Sequence, residues 1–208
     1  MVKLEGIYRG RTVLGYEVLM EDGAIPLLSN NGTKERLFDT LSPDLDLTLF
    51  LHHVNWAKEN LSPDHLVFIN LKPQTLIEYA DEIISSIHSR VVIELREDWM
   101  SDSELQTLIQ IRKDFMFLLS LDDFGRRASN IERVKALLPN FIKVDVSLLP
   151  DPPTLFKLVD LLDSLHSCHI IAEKVETERE FKMVRAAGVY LWQGWYERVL
   201  EQACQETA

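Results

Sequence analysis

The sequence predicts an α/β fold, a TIM-like (β/α)8 barrel with a modified, partly antiparallel first strand region. Three observations carry this expectation. From residue 65 onward, six short apolar runs alternate with segments of helical spacing, the sequence form of a parallel sheet with helices outside it. The runs are apolar throughout rather than alternating, as strands covered on both faces are. Upstream, residues 4–20 read as two strands about one tight turn.

Taken in order, the elements follow from local pattern. "LEGIYRGRTVLGYEVLM" (4–20) sets two strand-like runs around "RGR", and helical spacing then runs through 34–41 and 46–60. The strand "HLVFINL" (65–71) leads to the helix "QTLIEYADEIISSIHS" (74–89), and "RVVIEL" (90–95) leads to "SDSELQTLIQIRKDF" (101–115). That last helix opens with Ser and Asp, whose oxygens accept from the free N–H groups of a first turn. "FLLSL" (117–121), "FIKVDV" (141–146) and "HIIAEKV" (169–175) are strands followed by helices at 128–138, 153–167 and 177–188. "PDPP" (150–153) stops one strand and suits the next helix start. Gly188 is a helix C-cap, and "VYLWQGW" (189–195) closes the series.

The chain has 208 residues, fewer than the roughly 250 typical of such a barrel. An open doubly wound sheet is the alternative. No Gly-rich phosphate loop follows any strand, which weighs against its nucleotide-binding versions. The length suits one domain over 1–208, without internal repeats, low-complexity tracts or a long linker.

Apolar residues make up 46% and charged residues 26%, ordinary for a soluble globular protein. No segment approaches the roughly 18 uninterrupted apolar residues of a membrane span. The N-terminus "MVKLEGIYRG" lacks an apolar signal-peptide core, so the expected compartment is the cytoplasm. Cys168 and Cys204 form no C-x-x-C and read as free thiols. A formal charge of −11 argues against binding duplex nucleic acid, which depends on basic contacts to phosphates. An anionic small ligand remains compatible, because acids that hold a divalent metal reverse the local field.

Polar residues at the C-terminal ends of barrel strands are the chemically informative ones. Here they are Glu17, Asn70, Glu94, Asp122, Asp123, Lys143, Asp145, Glu173, Glu176 and Gln193. Any single buried acid is explained by an ion pair, but so many on successive strands exceed what Lys143 neutralises. Oxygen-rich sets of Asp, Glu and Asn suit hard cations such as magnesium or manganese. A carboxylate shared by two such ions is a device for clamping a phosphoryl group. The constellation points to metal-assisted hydrolysis of a phosphate ester.

These blocks resemble the EAL domain family of cyclic di-GMP phosphodiesterases. The eponymous Glu-Ala-Leu corresponds to "EVL" (17–19), followed by "INLKP" (69–73), "IELRE" (93–97), "LDDFG" (121–125), "IKVD" (142–145), "IAEKVET" (171–177) and "QGW" (193–195). The resemblance implies that Glu17, Asn70, Glu94 and Asp122 hold one ion, Mg2+ or Mn2+, with Asp122 bridging to a second served by Asp123. It implies Glu173 as general base or metal partner, and Lys143 as a group that orients water and offsets charge. Gln193 would hold a water or a metal-site residue, while Glu97 and Glu176 would support the loop after "DDFG" and the metal shell. The implied reaction is hydrolysis of cyclic di-GMP to linear pGpG.

Three departures from the family stand out. Glu21 occupies a position where the family commonly has a phosphate-contacting Arg. The segment 21–39 is short and keeps only "GAIP" of the usual stretch. The loop after "DDFG" reads "RRASN" (126–130) where the family reads like Thr-Gly-Tyr-Ser-Ser. Arg126 or Arg127 is a candidate replacement for the phosphate contact, with a solvent-facing role the alternative. A second reading follows: a weak or inactive EAL domain that binds cyclic di-GMP or a protein partner and regulates. The apolar helix 153–167 is a candidate homodimer face, explained equally by core packing. His52, His53, His166 and His169 lack zinc spacing, and Trp192 and Trp195 read as core or rim residues.

Overall fold

The computed structural model describes residues 2–21, 40–127, 129–149 and 151–196. Eight strands close into a barrel in chain order: β1 (Val2–Arg9), β2 (Thr12–Met20), β3 (Leu66–Leu71), β4 (Val91–Leu95), β5 (Leu118–Leu121), β6 (Phe141–Asp145), β7 (His169–Glu173) and β8 (Leu191–Gln193). β1 runs antiparallel to both β2 and β8, and the remaining neighbours are parallel. The sheet is closed, so the open alternative is excluded. Closure from a short chain follows from the opening hairpin, because an antiparallel pair needs only a tight turn and no crossover helix. Gly10, at φ 65°, takes the left-handed position of that turn.

The helices are α1 (Pro43–Asn60), α2 (Pro73–Glu78), α3 (Ala80–Ser86), α4 (Asp102–Asp114), α5 (Ile131–Leu137), α6 (Pro152–Leu165) and α7 (Glu178–Ala186). Capping boxes start two of them, Ser101 with Glu104 and Thr177 with Glu180. Gly188, at φ 81°, ends α7 by donating its N–H to the Arg185 carbonyl at 3.1 Å. The helix expected over 74–89 is instead two. Tyr79, at φ −122° and ψ 31°, caps α2 and begins α3, and its hydroxyl donates to Asp44 on α1. A single non-helical residue leaves the apolar spacing intact, which is why periodicity alone reads through it. The helix expected at 34–41, except its last two residues, lies outside the described residues, as do "GAIP" and Cys204.

Most of the core lies between the strands and the helices that surround them. α6 buries Leu155, Val159 and Leu162 there while Phe156 and Leu161 stay exposed. Trp192 is fully buried, its indole N–H donating to the Gly10 carbonyl at 2.8 Å, and Trp195 is exposed. His166 caps α6 and His169 opens β7. Among the described residues, no helix is long and apolar enough to cross a membrane.

Candidate active site

Residues two apart on a strand face the same way, and this period builds the site. Ile7, Phe68, Val92, Phe141, Ile171 and Leu191 form an apolar plug inside the barrel. Two residues beyond the last five stand Asn70, Glu94, Lys143, Glu173 and Gln193. A polar layer therefore sits directly on the apolar one, at the C-terminal mouth. β2 contributes Glu17 to it, and Asp122 joins from the end of β5. Gly15, two residues before Glu17, lets β2 approach β3: a Cβ there would lie 2.3 Å from the Leu66 carbonyl oxygen.

Lys143 is the hub. Its ammonium, 1% exposed, lies 2.9 Å from Glu17, 2.5 Å from Glu94, 2.9 Å from Glu173 and 3.9 Å from Asp122. Glu17 also accepts from Asn70 at 2.8 Å and from Gln193 at 2.7 Å. Burial opposes ionisation of Glu17, but the Lys143 charge and these donors outweigh it and hold its pKa below the usual value. Glu94 goes the other way. Burial and the Glu17 charge, only partly offset by Lys143, push it well up. Burial raises Asp122 to about 6 against the pull of Lys143, and raises Glu173 to about 8 against the same pull. Lys143 is itself raised, because four carboxylates overcome its own burial.

One ammonium thus faces four acids, and the arrangement is under-neutralised. The buried Oε2 of Glu94 and Oε1 of Gln193 have no hydrogen-bond partner, a costly state for enclosed polar atoms. Beside this cluster, one carboxylate oxygen each from Glu97, Asp122 and Asp123 lie within 4.8 Å of one another. Oxygens bound to a common hard cation at about 2.0–2.6 Å must converge in this way, so the residues fit a divalent ion.

The loop after β5 is tied to the strands around it. Asp122 donates its N–H to Leu95 O at 3.1 Å, and Phe124 donates to Lys143 O at 3.0 Å. Arg126 reaches Asp145 at 3.0 Å and Asp123 at 3.4 Å, and Arg127 lies 3.6 Å from Glu97. Arg126 is held at the loop by both acids, while Arg127 is exposed beside Glu97. Arg127, where the family's loop carries Gly, adopts φ 42° and Asp123 adopts φ 45°, left-handed conformations that cost other residues about 1–3 kcal/mol. Glu176 is not brought to Lys143. Its side chain is exposed beyond β7, with its N–H on the Glu180 carboxylate at 2.8 Å.

Several supporting residues carry no signal in the spacing of motifs. Lys174, at φ 56°, shares the buried Asp145 with Arg126, so Asp145 joins three separate segments. Glu5 accepts from Gln193 at 3.1 Å, across the β1–β8 seam. Arg133, buried on α5, donates to the Arg96 and Asp98 carbonyls that flank Glu97. A basic residue in an otherwise apolar helical stripe was the only hint of it.

A family model described as the EAL domain matches residues 8–197. The chain belongs to the EAL domain family. A protein of Escherichia coli (strain K12) named as probable cyclic di-GMP phosphodiesterase PdeA is 31% identical over 87 residues, 39% of this chain. That stretch covers 12% of the relative, so the two share only a small part of its length. The Klebsiella pneumoniae BlrP1 manganese/cyclic di-GMP complex matches with a TM-score of 0.74 at 22% identity, over 93% of this chain and 54% of that one. A standalone EAL protein of Vibrio cholerae O395 in its cyclic di-GMP-bound form matches at 0.70 and 22%, over 94% and 90%. At these identities the likeness establishes the shared fold. This EAL domain keeps an acid, amide or lysine at the strand-end position of each motif block.

Proposed function

We propose that this EAL domain hydrolyses cyclic di-GMP to linear pGpG with two divalent ions, Mg2+ or Mn2+. The observation that carries the reading is the under-neutralised acidic mouth, four carboxylates converging on the single Lys143 ammonium. Relatives named as a cyclic di-GMP phosphodiesterase and a manganese/cyclic di-GMP complex support it. In this reading Glu17, Asn70, Glu94 and Asp122 would hold one ion, and Asp122 with Asp123 would hold the second. Glu97, whose carboxylate lies in the Asp122–Asp123 cluster, would join in holding the second ion as well as supporting the loop. Divalent ions held there lower the pKa of a nearby water and offset charge on the phosphate.

The chain's own groups then have distinct tasks. Glu173, half-buried at the mouth and 2.9 Å from the Lys143 ammonium, is placed to take a proton from the attacking water. Lys143, held charged by its neighbours, orients the attacking water and stabilises the charge that develops on phosphate. Gln193 fixes the Glu17 carboxylate. Arg126 has N–H donors beyond those spent on Asp123 and Asp145, and it takes the phosphate contact that Glu21 cannot make.

Glu21 and the "RRASN" loop favour a second reading, an EAL domain that binds cyclic di-GMP or a protein partner without turnover. Incubation of the purified chain with cyclic di-GMP and Mn2+ or Mg2+, followed by product separation, distinguishes the two. Formation of pGpG supports hydrolysis; binding without pGpG supports the regulator.

A further inference from the structure

A second concave site lies at the opposite end of the barrel, where α3, α4 and α5 end and β4, β5 and β6 begin. It is a cavity of about 670 Å³, within the roughly 300–1,000 Å³ of sites that take small molecules. Ile84, Ile87, Ile109, Leu118 and Leu137 supply apolar wall. The ionisable residues in the lining are His88, Arg112 and Lys113, and no acid is among them. In a chain with a formal charge of −11, this lining runs against the overall balance, its charged groups being bases alone.

Arg112 gives the cavity its chemistry. Its guanidinium donates to the Phe117 carbonyl and, at 2.9 Å, to Asn140 Oδ1, and it lies 4.8 Å from the Phe117 ring centroid. All three partners are neutral, and among the described residues no carboxylate pairs with it. Burial without a counter-charge pulls its pKa below the ordinary value. A guanidinium has five N–H donors, so some remain for an incoming acceptor. Lys113 is exposed at the rim, and the buried Nε2 of His88 makes no hydrogen bond.

We propose that this cavity binds a small organic monocarboxylate with an apolar body. The carboxylate pairs with Arg112 and Lys113, and the body lies against the isoleucines of α3 and α4. The anion supplies the counter-charge that Arg112 lacks, and the walls exclude water from its apolar part. The site is separate from the acidic mouth: β4 and β6 start beside it, Glu94 lies near the far end of β4, and Lys143 lies midway along β6. The proposal therefore stands or falls separately from phosphodiesterase activity.

Octanoate and its neutral counterpart octanol are the probes, titrated into the whole chain in the presence of chelator. Calorimetry measures affinity and amide NMR locates the site. Octanoate is expected to bind saturably at one site, in roughly the micromolar-to-millimolar range. The amide shifts should fall at His88, Lys113 and Met116 and not at Lys143 or Glu173. Arg112→Met should weaken octanoate about tenfold or more, the loss of a charge-assisted contact, and leave octanol unchanged. Because Arg112 also holds Phe117 and Asn140, Lys113→Glu at an exposed position provides a second variant that keeps those contacts, with binding several-fold weaker. Asp122→Asn should bind octanoate as the parent does. Absence of saturable binding, equal affinity in parent and both charge variants, or shifts confined to the acidic mouth would each overturn the proposal.

Discussion

Lys143→Met removes the central cation while keeping a side chain of similar length. The structure sets the scale of the loss. Three carboxylates lie within 2.9 Å of the ammonium, and at an effective dielectric of about 20 each such contact amounts to roughly 6 kcal/mol before desolvation. Desolvation of the lysine cancels most of that sum. Removing one partner of a buried ion pair costs about 3–5 kcal/mol, chiefly because the remaining charges stay buried and unpaired. For a domain of this size that corresponds to a fall in Tm of roughly 6–20 °C in chelator. Saturating Mn2+ replaces the missing positive charge, so the gap between variant and parent should shrink by at least about half, by binding to the folded state. Thermal unfolding followed by circular dichroism, with and without the ion, measures both numbers. A loss below about 1 kcal/mol, the size of a surface pair, would refute the hub role. An equal loss with and without Mn2+ would refute the placement of the ion beside Lys143.

Asp122→Asn should retain the fold while lowering both Mn2+ affinity and turnover by at least about a hundredfold, exceeding the effect of groups one step removed from a metal; calorimetry and product formation check it. Gly194→Ala should destabilise the chain by several kcal/mol, because residue 194 sits at φ 148° and a Cβ would lie 2.4 Å from Val175 backbone atoms; denaturant melts read this directly. His53, on α1, has its pKa lowered to about 4 by burial and the neighbouring His52. The unfolded chain therefore takes up the proton first, and stability present above about pH 6.5 is lost as pH falls toward 4. His53→Gln should flatten that loss by roughly 1–3 kcal/mol; an unchanged slope of Tm against pH would contradict it.

The strands from β3 to β8 were legible because burial on both faces leaves uninterrupted apolar runs, and the first polar residue after each run marks the mouth. That single rule located Asn70, Glu94, Asp122, Lys143, Glu173 and Gln193. Tyr79 was not legible, since one non-helical residue changes no periodicity. The place of Glu97 beside Asp122 and Asp123 depends on how the loop after β4 folds back. Arg133, from a distant helix, holds that loop by its carbonyls. Likewise the Arg126–Asp145–Lys174 bridge joins three strand ends, and the parallel pairing of β5, β6 and β7 across long stretches of sequence brings them together. Glu176 shows the reverse case: a motif position whose local turn points the side chain to solvent.

The most direct test of the account is conversion of cyclic di-GMP by the purified chain with Mn2+ or Mg2+. Linear pGpG should form, and chelator or Asp122→Asn should abolish it. Tight binding of cyclic di-GMP with no pGpG under either ion would contradict it.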